Sequence, residues 1–443
     1  MTTTTGDRTL TAPPTRDLVD AVSHAFDEPA WLRDHRIRAL AYHDSMRWPS
    51  GLEEEWRRTA LASIPLEAYT LDLATGGPAP TAVLDLAGPE RGALVVHQNG
   101  GVERAEILDA LAAQGVLVLP LAQAAHEHGR LLREHLNSAV PLNYDRFAAL
   151  SAALWTQGLF VYLPRNVQVE RTLVHLLTKR PTPQGLFGHT LIVAEEGSSA
   201  TVVEAAWSET GPAPSFVSRS VEIVAGPGSQ VRYAELQRWG MDVSAVGTTR
   251  ARLGRDAQVL LASAAFGSRL AKLRLEIDAI GDGSNADLVC LFVGREEQQL
   301  EYITRQVHTG IGTRSELTVK GALDDNAHAV QRGVVHMLPG AQKTSAHQVM
   351  RNLLLSTGAG ADPIPILEIE ADDVKCSHAA AVGPVNPEHL FYMQARGIPA
   401  DEAERLVVQG FLQVVTDRLP DAHLRETVHG LVDAQLRLAG ESV

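Results

Sequence analysis

The chain has 443 residues, 45 % hydrophobic and 21 % charged, with 39 Lys and Arg against 53 Asp and Glu and a formal charge of −14. That balance fits a soluble chain of two or three domains with a sizeable core; the negative charge and the lack of a basic run argue against a nucleic-acid partner and favour solubility or a basic protein partner. Residues 1–14 lack the basic and apolar regions of a signal peptide, no apolar run reaches the roughly 20 residues of a membrane span, and the two cysteines read as free thiols of a reducing compartment, so a cytoplasmic protein without a membrane partner is expected.

From residue 15 to about 66 the chain reads as helix with an extended tail, taking in Trp31-Leu32-Arg33 and the acidic-aromatic run Glu53-Glu54-Glu55-Trp56-Arg57. Between 93 and 137 two short apolar strands, 93–97 and 116–119, flank an amphipathic helix candidate at 103–114, and another helix follows through Leu131, Leu132 and Leu136. Residues 145–157 predict a further helix, after which Gly158-Leu159-Phe160-Val161-Tyr162-Leu163-Pro164 turns the pattern to strand.

From 172 to 369 helical period disappears and turn glycines recur. Gly197, Gly228, Gly254, Gly283 and Gly312 lie 31, 26, 29 and 29 residues apart. Each is followed at the third position by a small or β-branched residue (Ala200, Val231, Ala257, Ala286, Ser315), then a polar one, then an apolar or aromatic one (Val202, Tyr233, Val259, Leu288, Leu317). Such a period marks stacked units that bury their faces against their neighbours. A β-helix or other β-solenoid fits best. The competing reading is an antiparallel sandwich, whose turn signals come at about 8 to 12 residues without a superperiod.

After Gly383 the pattern is helical again. Asn386-Pro387-Glu388 is a helix start, with Asn as N-cap and Pro at the first helical position, and Gly397 ends that helix. Pro399 opens the next, with Ala403, Leu406, Val407, Gly410, Phe411, Val414 and Val415 as an apolar stripe; a last helix covers about 421–438. The stripe serves either core packing or docking of a partner. The expected division is 1–157, helical and mixed α/β; 158–383, β-helix core; 384–443, helical.

The stretch Glu368-Ile369-Glu370-Ala371-Asp372-Asp373-Val374-Lys375-Cys376-Ser377-His378 carries the chemistry. On a strand, residues two apart share a face, so Cys376 and His378 stand side by side while Lys375 and Ser377 face away. A thiolate and an imidazole suit iron, copper or zinc, but a closed site needs about four ligands and Cys290 is far off. Other donors would come from elsewhere in the fold or from another chain. The plain alternative is a buried small hydrophobe beside a hydrogen-bonded histidine. Cys290 reads as core, and His336 and His347 as structural. Pro339-Gly340-Ala341-Gln342-Lys343-Thr344 is no phosphate loop, since Gln342 stands where glycine must precede the lysine. Asp324-Asp325 and Asp372-Asp373 place their carboxylates on opposite strand faces and make no acid/base dyad.

Together these residues resemble the SufB/SufD family of iron-sulfur cluster assembly proteins, the SufD branch in particular. The likeness rests on Phe147-Ala148-Ala149-Leu150, Gly158 to Pro164, Gly333-Val334-Val335-His336, Pro339 to Thr344, Arg351-Asn352-Leu353-Leu354-Leu355-Ser356, Ala371 to His378, and Leu390-Phe391-Tyr392 before Arg396-Gly397-Ile398. Upstream it is looser, chiefly Glu55-Trp56-Arg57. The resemblance implies a right-handed parallel β-helix between helical ends. It implies a scaffold subunit without catalysis that pairs with a SufB-like chain, or with itself, and docks a SufC-like ABC ATPase through its C-terminal helices. It further implies a transient iron-sulfur cluster at the subunit interface, with His378 and Cys376 as the cofactor- and metal-binding residues and no nucleotide bound by this chain. One departure stands out: Ala379-Ala380-Ala381-Val382-Gly383 replaces the family's usual Gly-Ala-Thr-Val-Gly, and losing that glycine narrows the backbone choices beside His378. Two other readings stand beside this one. A carbohydrate-active β-solenoid enzyme would need groove carboxylates and usually export. A metal-dependent hydrolase would need His336, His347 and His378 to converge.

Overall fold

The computed structural model describes residues 9–64, 69–72, 78–181 and 185–440; the first eight residues of the Thr-rich start, and residues 65–66 of the first expected helical stretch, lie outside these. Its centre is a parallel β-solenoid of two sheets. Strands alternate between them, and each pairs in parallel with the strand two further along. One sheet runs from Gln157–Leu163 through Val243–Leu253 to Gly360–Ile369, the other from Thr172–Lys179 through Gln258–Ala265 to Val374–Pro384. Register holds from rung to rung: Ser199, Gln230, Gln258, Asn285, Arg314, Ser345 and Lys375 form one continuous column. The solenoid reading therefore stands and the sandwich does not.

The turns explain the repeat and correct one member of it. Asn166, Gly197, Gly228, Asp256, Gly283, Gly312 and Lys343 all have positive φ, from 56° to 68°. The N–H of each donates to a carbonyl of the next turn, as from Gly228 to Arg255 and from Asp256 to Asp282, at 2.8 and 2.9 Å. The fourth turn is thus centred on Asp256, not Gly254. Asp tolerates the left-handed region, so a count of glycines alone misplaces that rung by two residues. Between turns, alternate side chains enter the lumen, where Val202, Tyr233, Leu261, Leu288, Phe292 and Leu317 join one buried cluster; burying each such side chain contributes about 1.5–3 kcal/mol.

The N-terminal mouth of the lumen is plugged. Arg91–Gln98 pairs in parallel with Thr172–Lys179 and antiparallel with Gly101–Ile107, and Leu111, Val116 and Val118 pack against Leu159 and Val161. The segment 103–114 therefore begins as strand, the end of Gly101–Ile107, and is helical only at Asp109–Ala112. The cause is the turn: Asn99 and Gly100 both have positive φ, 52° and 105°, the geometry of a two-residue hairpin loop. Helices Arg16–Ala25 and Ala30–Ser45 form as the sequence predicts, the first capped by the Thr15 hydroxyl. The run Glu53 to Arg57 is not helical, because Pro49 and Gly51 interrupt the pattern ahead of it. Its Trp56 stacks instead on Phe147 at 5.2 Å, from the helix Arg146–Leu154 capped by Asp145.

At the other end, Pro387–Gln394 is capped by Asn386, and Ala400–Thr416 and Ala422–Gly440 follow. The face of Ala400–Thr416 that packs on a sheet overlaps the predicted stripe only in part: Ala403 and Val415 of the stripe are buried while Leu406 and Val414 are exposed, and Val408 and Leu412, outside the stripe, join Val415 against the sheet's Val289, Leu291 and Ala322. Helices Arg16–Ala25, Ala30–Ser45 and Arg146–Leu154 lie outside the first sheet and the C-terminal helices outside the second, where the short helix Thr81–Leu84 also packs.

Candidate functional site

Cys376 and His378 lie on Val374–Pro384, in register with Ala346 and Gln348 of Thr344–Leu354. Ala346, Gln348 and Met350 are buried while His347 and Arg351 are exposed, so the shared face of Cys376 and His378 is the lumen. Ser377 faces outward, where its hydroxyl meets His347 Nδ1 at 2.6 Å, and Lys375 is turned away from the thiol as alternation requires. The Cys376 thiol is half-buried, with Sγ 3.3 Å from Met337 Sδ beside Val335, Leu367 and Val374. Burial raises its pKa, so at neutral pH it is a protonated thiol, not a thiolate ready to react. His378 is exposed.

This rung is the last. Gly360–Ile369 and Val374–Pro384 end their sheets, each paired on one side only. The C-terminal helices leave the edge open: residues 377–382 are exposed, and Phe391 and Tyr392 just beyond keep 74 % and 58 % of their surface. Open edges with free backbone groups are templates for pairing with another chain. The two differ, since Pro363 and Pro365 lack the N–H that such pairing uses, whereas residues 374–383 contain no proline. Inside the rung below, the lumen is polar and neutral. Gln348 donates to Gln306 at 3.0 Å, and Gln331 and Asn352 exchange amide bonds at 2.6 and 3.2 Å. Sequence reasoning passed over Gln348, Met337 and the blunted edge. The alternation Ala346, Gln348, Met350 would have shown that Gln348 lies under His378, once register was known.

The other candidates separate. His336 faces the outside of the opposite sheet, 2.7 Å from Glu370 and 3.5 Å from Arg305; His347 faces the outside of the second sheet. The three histidines point in three directions, which removes the hydrolase reading, and among the described residues no group of three His, Cys, Asp or Glu side chains could hold a metal ion. Cys290 is buried in the lumen cluster, three rungs below Ala380 in the same column, and burial raises its pKa. Lys343 stands in a left-handed turn that Gln342 closes onto the Pro339 carbonyl at 2.9 Å, not in a phosphate cradle. Asp325 and Asp373 serve turns, through the left-handed backbone of one and the bond from the Lys343 N–H to the carbonyl of the other.

Residues 175–411 match the family model for the SUF system FeS cluster assembly SufBD core domain, and 23–174 match the SufBD protein N-terminal region. The chain belongs to the SufBD family. It is 30 % identical over 428 residues to the iron-sulfur cluster assembly protein SufD of Bacillus subtilis, covering 95 % of this chain and 98 % of that one. To an iron-sulfur cluster assembly SufBD family protein of Staphylococcus epidermidis it is 27 % identical, over 92 % and 90 %. This SufBD chain is thus SufD-like, which displaces the carbohydrate-active reading. The two family models meet inside Thr172–Lys179, in the solenoid's first rung. No described helix is long and apolar enough to cross a membrane.

Proposed function

We propose that this chain is a non-catalytic scaffold subunit of the SUF machinery, acting in the cytoplasm, whose open terminal rung pairs edge to edge with a SufB-like chain or with a second copy of itself. His378, with Cys376, supplies soft donors to an iron-sulfur cluster that forms transiently at that junction as cargo. The position of the pair carries this reading: both side chains face the lumen of the one rung that has no rung beyond it. One thiol and one imidazole cannot complete the coordination of iron, so the remaining donors come from the facing chain. The thiol's burial means that metal uptake there expels a proton. The strand Val374–Pro384, free of proline up to its last residue, is the better edge for augmentation, and the exposed Phe391 and Tyr392 extend the contact.

The C-terminal helices dock a SufC-like ATPase through the side turned from the solenoid, where Leu406 and Val414 are exposed. Nucleotide is bound and hydrolysed by that partner. The test is anaerobic co-purification of the tagged chain with SufB-like and SufC-like proteins, wild type beside His378→Ala, scoring assembly, iron and sulfide. The expected result is a complex that survives in the variant while its iron and sulfide fall to background. Failure to capture either partner, with no self-association, would end the scaffold reading.

A further inference from the structure

We propose that a groove around Trp31, on the N-terminal module and remote from the terminal rung, docks an acidic segment of a partner protein. On Ala30–Ser45 most arginines are used within the fold: Arg33 pairs with Asp20 at 2.9 Å and Arg36 with Glu28 at 2.6 Å. Arg38 is different. Among the described residues no carboxylate lies within 4 Å of Arg38, Arg130 or Arg133; Arg38 lines an open cleft of about 470 Å3, Arg130 a second of about 660 Å3, and Arg133 and Trp31 line both. The Arg133 guanidinium stacks over that ring, 4.8 Å from its centroid, which fixes it while leaving its N–H groups free. Asp34 and Glu134 also line the clefts, so three guanidiniums stand beside two carboxylates on a chain whose net charge is −14.

The groove is built, not incidental. Solenoid residue Glu222 accepts the N–H groups of Asn137, Ala139 and Val140 at 2.7, 2.7 and 2.9 Å. Asn137 Oδ1, so placed, meets His35 Nε2 at 2.7 Å, and His35 Nδ1 lies 3.3 Å from Arg38 Nη2. Burial lowers His35 to a pKa of about 4, against the bond to Asn137, so the neutral ring donates to Asn137 and accepts from Arg38. A rigid chain of contacts thus runs from the β-core to a guanidinium pointed at the cleft, and such preorganisation favours binding. Two clefts that share an indole suit an extended peptide, with carboxylates on the arginines and an apolar side chain against Trp31.

The test uses the full chain and fluorescence anisotropy of a fluorescein-labelled decapeptide of Glu and Asp residues with one central Phe, beside its Gln/Asn counterpart. The acidic peptide is expected to bind at least about tenfold tighter than the neutral one, and Arg130→Glu/Arg133→Glu to weaken it by about tenfold or more. Arg38→Gln, a milder change at an exposed position, is expected to weaken it by about threefold with an unchanged thermal melt. Arg314→Glu, a charge reversal at an exposed solenoid position that makes half the charge change of the double variant, should alter binding by less than about twofold. Equal binding of the two peptides, or an equal loss in Arg314→Glu, would overturn the proposal. So would displacement of the peptide by inorganic phosphate or ADP at low millimolar concentration, which would make the groove a small-anion site.

Discussion

The two ends of the solenoid lumen are built from opposite materials. Near the plugged N-terminal end, Glu204 is fully buried and accepts from Arg219 at 2.6 Å, from the Tyr233 hydroxyl at 2.5 Å and from Thr190 at 2.7 Å, and it pairs with His175 at 2.5 Å. His175 meets His97 at 2.9 Å, and Arg219 reaches Glu235 at 2.9 Å. Near the open end there are neutral amides, a thiol and an imidazole. A buried charge network with its bonds satisfied fixes one arrangement and tolerates no loss. A neutral, half-open rung can accept a partner and a metal without first breaking ion pairs. The difference separates what holds the fold from what the fold presents.

The comparison breaks most visibly at Glu204. Replacing it by Ala leaves Arg219, His175 and Tyr233 buried around a missing anion, so about 3–5 kcal/mol of stability is lost, whereas His378→Ala at the exposed rung costs less than about 0.5 kcal/mol. Urea unfolding of the two variants side by side measures both; equal losses would erase the contrast. Burial disfavours the Glu204 carboxylate, yet Arg219 and His175 outweigh it and hold its pKa well below the usual range. A depressed carboxyl contributes stability above the unfolded value of about 4.3 and loses it as pH falls below that.

Histidines give a second effect, smaller and in a separate pH window. His308, bonded to Thr313 and Ser315 at 2.8 Å each, is lowered by burial to about 4, and His97 is lowered well below its ordinary value by burial and by His175. Because the folded pKa lies below the unfolded one near 6.5, each contributes stability in full above pH 6.5 and loses it as pH falls toward 4. The urea midpoint should therefore decline across that interval, before carboxylates titrate, and His308→Gln should flatten the decline. A decline that begins only below pH 4.5 would show that these rings are not buried neutral.

Ala380→Lys sharpens the comparison from the open end. It directs a charge into the mouth of the terminal rung, a device natural proteins use to prevent edge pairing. Self-association or capture of a SufB-like chain is expected to weaken by at least about tenfold, with the urea midpoint of the isolated chain almost unmoved. An unaffected complex would place the junction elsewhere.

Much of this was legible in the sequence, for reasons that can be named. Turn spacing and two-residue alternation encode a solenoid directly, and the same alternation put Cys376 and His378 on one face and Lys375 on the other. What escaped depended on partners distant in sequence or on signals read too narrowly. Asn99-Gly100 was an explicit hairpin turn, yet the helical spacing of 103–114 outweighed it. The direction of the shared face, into the lumen and onto Met337, required the register between strands about thirty residues apart. The Glu204 network joins side chains from strands spread between Arg91–Gln98 and Gln230–Arg238, and no local pattern announces it.

Left-handed turns provide the last and smallest test. The column passes through glycine at four of seven positions and through Asn166, Asp256 and Lys343 at the others. Asn and Asp bear that conformation at modest cost, but a lysine pays about 1–2 kcal/mol for its Cβ, partly offset by the 0.5–1 kcal/mol of chain entropy that a glycine would lose on folding. Lys343→Gly should thus stabilise the chain by about 0.5 kcal/mol, while Asp256→Gly, deeper in the stack, should change it by less. Lys343 borders the terminal rung, its N–H bonded to the Asp373 carbonyl at 2.6 Å. Strain left at that turn would lie beside the proposed junction, and a stabilised Lys343→Gly chain that also captures a SufB-like chain less well would tie the two together.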